Sequence, residues 1–170
     1  MRQTKSYPVA PGQPVITRSR AVWREAMRFE AGSGERTHAI DGNSDTAPSP
    51  VETLLSAVAT CSGSDVVDFL EKRRTPLTSM EIDVVATRRT EQPRRVMKLD
   101  VTFTLEGAAI EPEQAERAIR LSFENYCTVA ASLAGDIELM STLVLNGTRA
   151  EPVHHKMFSA SFPASATSAR

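Results

Sequence analysis

The run Ser49-Pro50-Val51-Glu52-Thr53-Leu54-Leu55-Ser56-Ala57-Val58-Ala59-Thr60-Cys61-Ser62-Gly63-Ser64-Asp65-Val66-Val67-Asp68-Phe69-Leu70 decides how the rest of the chain is read. Its first four residues spell a helix start: an N-cap serine, a proline at the first helical position and a glutamate three residues after the cap. Apolar side chains then recur at three- and four-residue spacing through Val51, Leu54, Leu55, Val58, Cys61, Val66, Phe69 and Leu70. Lys72-Arg73-Arg74 followed by Pro76 supplies the stop. One long helix is predicted, with Cys61 at its middle on the buried stripe. Ala57, Ala59, Thr60, Ser62, Gly63 and Ser64 around it are small. They let another backbone approach, although Gly63 costs about 1 kcal/mol of helix propensity relative to alanine. Such a helix suits the centre of an assembly.

Working outward, residues 15–24, 27–31 and 36–40 have strand composition, separated by Glu25-Ala26 and by the turn Gly32-Ser33-Gly34-Glu35. Asp41-Gly42-Asn43-Ser44-Asp45 then breaks regular structure ahead of the helix. Beyond it, residues 81–90 and 95–105 read as a hairpin. Ile82, Val84 and Ala86 share one face, and Met97, Leu99, Val101, Phe103 and Leu105 alternate. Arg88, Arg89, Arg94 and Arg95 gather at its tip, a solvated end with no assigned role. Glu111-Pro112-Glu113 opens a second helix through Ala115, Ala118, Ile119, Ser122 and Tyr126. Cys127 falls at its end or at the start of a further turn over residues 128–133, and residues 137–145 read as the last strand. Three regions result: an extended arm over residues 1–14, a domain over 15–145, and a Ser/Ala/Thr/Pro-rich tail over 146–170. His154-His155 is read as part of that solvated tail, so neither a metal site nor a cofactor is expected.

The chain has 170 residues, enough for a core that needs no disulfide staples. Its 20 basic and 21 acidic residues leave a net charge of -1, which offers no electrostatic footprint for nucleic acid or an anionic membrane. No stretch is read as a secretory signal or a membrane span. The expected location is the reducing cytoplasm, where two cysteines are more often chemical than structural.

Cys61 and Cys127 are the only cysteines. If the fold brings them together they can be oxidised and reduced as a pair; if not, both are buried thiols acting as small hydrophobes. A peroxide converts one thiolate to a sulfenic acid, and the second thiol condenses with it to a disulfide that an external dithiol reopens. Mid-helix Cys61 gains little from the helix dipole, whereas Cys127 at the start of a helical turn would lie near free amides that favour its anion. Asp65, one turn beyond Cys61 on the same side, disfavours a thiolate there and is read as a solvated or interface residue.

Asp41-Gly42-Asn43, Ala47-Pro48-Ser49-Pro50-Val51-Glu52, Ala59-Thr60-Cys61-Ser62 and Tyr126-Cys127-Thr128-Val129-Ala130-Ala131 ahead of Leu133 together resemble the OsmC/Ohr family of osmotically inducible and organic-hydroperoxide-resistance proteins, its OsmC-like branch above all. The likeness runs from Ser19 to Leu145. It implies an α+β, OsmC-like fold in which antiparallel sheets wrap around central helices in an intertwined homodimer. It also implies a thiol-dependent peroxidase of oxidative stress defence, with Cys61 peroxidatic and Cys127 resolving. Organic hydroperoxides would be its substrates, and an external dithiol or lipoyl group its reductant.

The family's peroxidases also use an arginine of the N-terminal hairpin and a glutamate early in the cysteine helix. In this chain the arginine position falls at Phe29, beside Arg28, and the glutamate position at Val51, so Arg28, Arg24 and Glu52 are the candidates. Glu52 precedes Cys61 by nine residues, about 900° of helix rotation and about 13.5 Å of rise, which puts it on the opposite side. A one-residue shift in a strand likewise turns a side chain to the other face. Thr128 stands where many members have proline. These displacements keep a second expectation open, a non-catalytic OsmC-like protein that binds an apolar small molecule in the pocket between subunits.

Overall fold

The computed structural model describes residues 15–156, so the expected arm lies outside the described residues, as does the tail beyond Lys156. The described residues divide between Val51 and Glu52 into two compact units.

In the first unit β1 (Arg20–Glu25), β2 (Arg28–Ser33) and β3 (Arg36–Asp41) form an antiparallel sheet in that order. β1 begins five residues later than its composition predicts. Ala26 (φ 43°) turns β1 into β2, and Gly34 (φ 61°) turns β2 into β3, a backbone region where glycine meets no Cβ penalty. The sheet leads into Asp41, which is 2 % exposed. Its carboxylate accepts the Asn43 N–H at 3.0 Å, the Thr46 N–H at 3.1 Å and the Thr46 hydroxyl at 2.8 Å. The Asp41-Gly42-Asn43 element is therefore a folded loop whose donors converge on one acid.

The second unit starts on helix α1 (Pro50–Lys72), whose bounds match the start and stop signals within a residue or two. At 23 residues α1 is long and apolar enough by length and composition to cross a membrane, against the expectation that no stretch would be. Val58, Ser62, Gly63, Val66 and Leu70 of α1 are nevertheless buried in this unit. A Cβ on Gly63 would come within 2.7 Å of Ile82 Cδ1 and 3.2 Å of Met80 Cε, so the glycine lets α1 lie close on the next strand.

That strand, β4 (Ser79–Arg88), pairs antiparallel with β5 (Val96–Glu106). Leu99, Val101, Phe103 and Leu105 are buried as their alternation requires. Met97 is not: a register shift at Thr87/Arg88 buries Val96 in its place and leaves Met97 37 % exposed. At the arginine-rich tip, Arg95 pairs with Asp136. Helix α2 (Pro112–Leu121), a π-helical turn (Ser122–Tyr126) and the short α3 (Thr128–Ala131) then cross to β6 (Glu138–Leu145). β6 runs parallel to β5, from Lys98↔Glu138 to Leu105↔Leu145. The sheet is therefore mixed rather than antiparallel throughout, because a helical crossover returns the chain in the same direction.

The sheet also continues past Leu145. Asn146 (φ 48°) and Gly147 (φ 81°) form a tight turn into β7 (Thr148–Arg149), and β8 (Val153–His155) pairs with residues 139–141 of β6. His155 is buried, donating to or accepting from Ser141 Oγ at 2.6 Å, with its ring tilted against Phe123 at 5.1 Å between centroids. The expected solvated tail thus begins at least ten residues later than its composition suggests. Phe123 in turn meets Phe103 edge-on at 6.0 Å, joining the crossover to the middle of the sheet.

Candidate functional site

Cys61 projects from the middle of α1, half-buried, and Asp65 stands one turn later on the same face. The opposing wall comes from the crossover. α2 closes with a π-helical turn, so the Cys127 N–H reaches back five residues to the Ser122 carbonyl at 2.8 Å. That wider turn ends at Cys127, whose extended backbone (φ -66°, ψ 97°) lets it cap α3. A π turn inserts one residue into a helix and re-aims the residues beyond it, a device common at functional sites. Here Cys127 is turned inward and fully buried.

The two sulfurs and an Asp65 carboxylate oxygen lie within 4.8 Å of one another. The fold therefore brings together thiols separated by 66 positions in the sequence. Both are free thiols. Cys61 Sγ is 3.8 Å from Thr128 Oγ1, and Ser122, fully buried, donates its hydroxyl to Asp65 Oδ2 at 2.8 Å. Asp65 also borders a cavity of about 320 Å³ shared with Phe69, Lys72, Leu121, Ser122 and Tyr126.

The electrostatics at Cys127 differ from expectation. The Ala130 N–H does reach its sulfur, at 3.4 Å, as placement at a helix start predicts. Burial outweighs that donor, and the thiol is pushed up to about 12, with the Cys61 thiol and the Asp65 charge adding to the rise. Cys127 is a protonated thiol at neutral pH rather than a ready anion.

The other expected site residues have surroundings of their own. Arg24 is bonded to Glu30, which also accepts the Thr37 hydroxyl at 2.6 Å. Arg28 pairs with Glu25 at 2.7 Å and lies 4.0 Å from Asp41. Glu52, in the first turn of α1, borders an open cavity of about 240 Å³ with Leu55, Ser56, Ala59, Ile82 and Val84. Asp65 and Ser122, which face the thiols or hold what faces them, are site residues that sequence reasoning misses. The i, i+4 spacing from Cys61 does point to Asp65. Ser122 becomes a site residue only through the π turn, which regular helical spacing does not foresee.

Comparisons with known proteins bear on the family and the fold. The sequence profile of a family described as OsmC-like protein matches residues 42–141. Protein YhfA of Escherichia coli (strain K12) is 38 % identical over 118 residues, spanning 68 % of this chain and 87 % of its own. Among solved structures, a hypothetical protein from Aquifex aeolicus VF5 superposes with a TM-score of 0.71 at 21 % identity, covering 77 % of this chain and 96 % of that one. The organic hydroperoxide resistance protein OhrB of Bacillus subtilis superposes with a TM-score of 0.50 at 15 % identity, covering 76 % and 96 %. At those identities the two structures speak to the fold alone.

Proposed function

The chain belongs to the OsmC-like protein family, and from that premise we propose that it is a thiol-dependent peroxidase that reduces organic hydroperoxides in the cytoplasm as part of oxidative stress defence. The observation that carries this reading is the approach of two free thiols to within 4.8 Å, one half-buried and one sealed. In the proposed cycle the Cys61 thiolate attacks the terminal peroxide oxygen. The O–O bond breaks, an alcohol leaves with a proton from solvent, and Cys61 becomes a sulfenic acid. Cys127 then attacks that sulfur, its proton leaves with the hydroxyl as water, and a disulfide forms. An external dithiol or lipoyl group supplies two electrons and two protons to restore the thiols. Thr128 Oγ1 stands 3.8 Å from Cys61 Sγ and would donate to the sulfur once Cys61 is a thiolate.

The working unit is proposed to be a homodimer. In the single chain Trp23 is 62 % exposed and Val85 63 %, with Met27, Phe29 and Leu54 also open, apolar surface that a second copy would cover. Light scattering of the purified chain should give twice the monomer mass.

The test of the activity is consumption of cumene hydroperoxide under a dithiol. Wild type should turn over, Cys61→Ser should not, and Cys127→Ser should stall as a sulfenic acid that dimedone traps. Equal slow rates in wild type and Cys61→Ser remove the assignment. A specific observation favours the second reading, a non-catalytic binder of apolar small molecules: the charge beside the thiols is the carboxylate of Asp65, which opposes thiolate formation at Cys127. On that reading a fatty-acid probe binds equally well before and after both cysteines are replaced by serine.

A further inference from the structure

Cys61 Sγ, Cys127 Sγ and an Asp65 oxygen form a triangle with no edge above 4.8 Å. Around a tetrahedral zinc ion, with Zn–S near 2.3 Å and Zn–O near 2.1 Å, neighbouring sulfurs stand about 3.8 Å apart and a sulfur and an oxygen about 3.5 Å. Side-chain movements of about 1 Å therefore close the triangle on one ion. Were both thiols to lose their protons at this distance from the Asp65 carboxylate, the three charges would repel one another, and a dication is the group that makes them compatible.

The surroundings fit the same purpose. Ser122 holds Asp65 through Oδ2, an outer-shell contact of the kind that fixes a metal-binding carboxylate. The Ala130 N–H directed at Cys127 Sγ satisfies a sulfur whose proton has gone. Cys61 and Asp65 are one turn apart on a long helix and Cys127 caps another, so the ligand set rests on regular backbone.

We propose that the reduced protein binds one soft divalent ion, zinc being the probe, through Cys61, Cys127 and Asp65, and that the ion withholds Cys61 from oxidation. Binding displaces two thiol protons and transfers no electrons. Oxidation of the pair to a disulfide, with peroxide as the oxidant, removes two ligands and releases the ion. The site and its shielding of Cys61 both stand without the peroxidase reading.

The experiment titrates zinc into the reduced, metal-free full chain against a chromophoric chelator, with cobalt(II) alongside because its thiolate charge-transfer band reports sulfur ligation. The expected result is one ion per chain with a sulfur-to-cobalt band. Binding should be lost in Cys61→Ser and in Cys127→Ser, and weakened 10- to 100-fold in Asp65→Asn and Ser122→Ala. One equivalent of zinc should also slow alkylation of wild-type Cys61 by at least about tenfold, a readout that needs no variant to fold. The proposal is overturned by no sulfur-ligated ion in wild type, by zinc binding that survives Cys127→Ser, or by unprotected Cys61. A protein that turns over peroxide but binds no zinc loses this inference alone, and one that binds zinc but reduces no peroxide loses the peroxidase reading alone.

Discussion

Native Cys127 should alkylate far more slowly than the same residue in the unfolded chain, and the lag can be worked out. An ordinary cysteine with a pKa near 8.5 is roughly one-quarter thiolate at pH 8. Burial and the neighbouring Cys61 and Asp65 hold native Cys127 at about 12, so its thiolate fraction at pH 8 is about 10⁻⁴, roughly 2,400-fold smaller. The more basic thiolate is also the better nucleophile. A Brønsted slope of about 0.45 over about 3.5 pKa units returns roughly 40-fold, which leaves a deficit of roughly 60-fold before any steric protection. Iodoacetamide labelling from pH 7 to 10, read by mass spectrometry on native and denaturant-unfolded protein, measures it. The native Cys127 rate should climb tenfold per pH unit to the end of that range, while the unfolded rate levels off near pH 9. A native plateau between pH 8 and 9 would refute the reasoning, because it would require a cation or donor set strong enough to cancel burial. The same shift has a consequence for stability. The folded pKa lies above the unfolded one, so the contribution is fully present below about pH 8.5 and is lost as pH rises toward about 12.

Phe123→Ala empties the contact that joins Phe103 to His155 and should cost about 3–5 kcal/mol, read from the urea midpoint; a loss below about 1 kcal/mol would mean the crossover does not pack as described. His155 has its pKa lowered by burial, against an opposing pull from Glu124, so its contribution is present above about pH 6.5 and is lost as pH falls through its depressed folded value. His155→Phe, which keeps a ring against Phe123 but takes no proton, should flatten that part of the stability profile. Asp41 is held below the usual carboxylate range by the Asn43 N–H and then by Thr46. Its contribution is present above the unfolded value and lost as pH falls through the folded one, so thermal melts of Asp41→Asn should show a lower Tm at pH 7 and a shallower acid limb than wild type.

Local signals carry the fold as far as local physics can. Ser49, Pro50 and Lys72 bound α1 because capping, a fixed φ and a charged last turn act within a few residues. Strict alternation locates the buried face of β5 from Leu99 to Leu105. Met97 defeats the same rule, since a bulge is decided by the partner strand and not by the run itself. The direction of β6 is hidden for a similar reason: an apolar strand is the same string whether it pairs parallel or antiparallel. Composition alone misleads about the tail, although Asn146-Gly147 is a strong short-range hairpin signal and stands in plain view. At the site, the two cysteines are legible as a possible pair, and the 4.8 Å triangle answers that question of meeting. Asp65 reads outward from the sequence, because its helical phase fits both solvent and a facing wall, and only the π turn at Ser122 supplies that wall.

The charge pattern at the thiols constrains which reductant fits the proposed cycle. A disulfide is a strong oxidant when the reduced form is stabilised, as where a low-pKa thiolate is held by a cation or helix dipole. Cys127 has the opposite setting, with burial, a second thiol and a carboxylate all disfavouring its anion. Closing the disulfide removes any thiolate from beside Asp65 and leaves the buried wall uncharged, so the pair has no electrostatic reason to stay reduced. Reopening it then calls for a donor that drives the exchange to completion. A monothiol must complete two separate encounters, and its first adduct can be expelled by the neighbouring cysteine. A dithiol that closes its own ring expels the protein thiol within one complex. Cys61, half-buried beside the open side of the cluster, is the sulfur such a donor reaches, since Cys127 is fully enclosed. Single-turnover reduction of the oxidised protein should therefore run much faster with dihydrolipoamide than with glutathione at equal thiol concentration, and equal rates would show that Cys127 leaves as a stabilised thiolate after all.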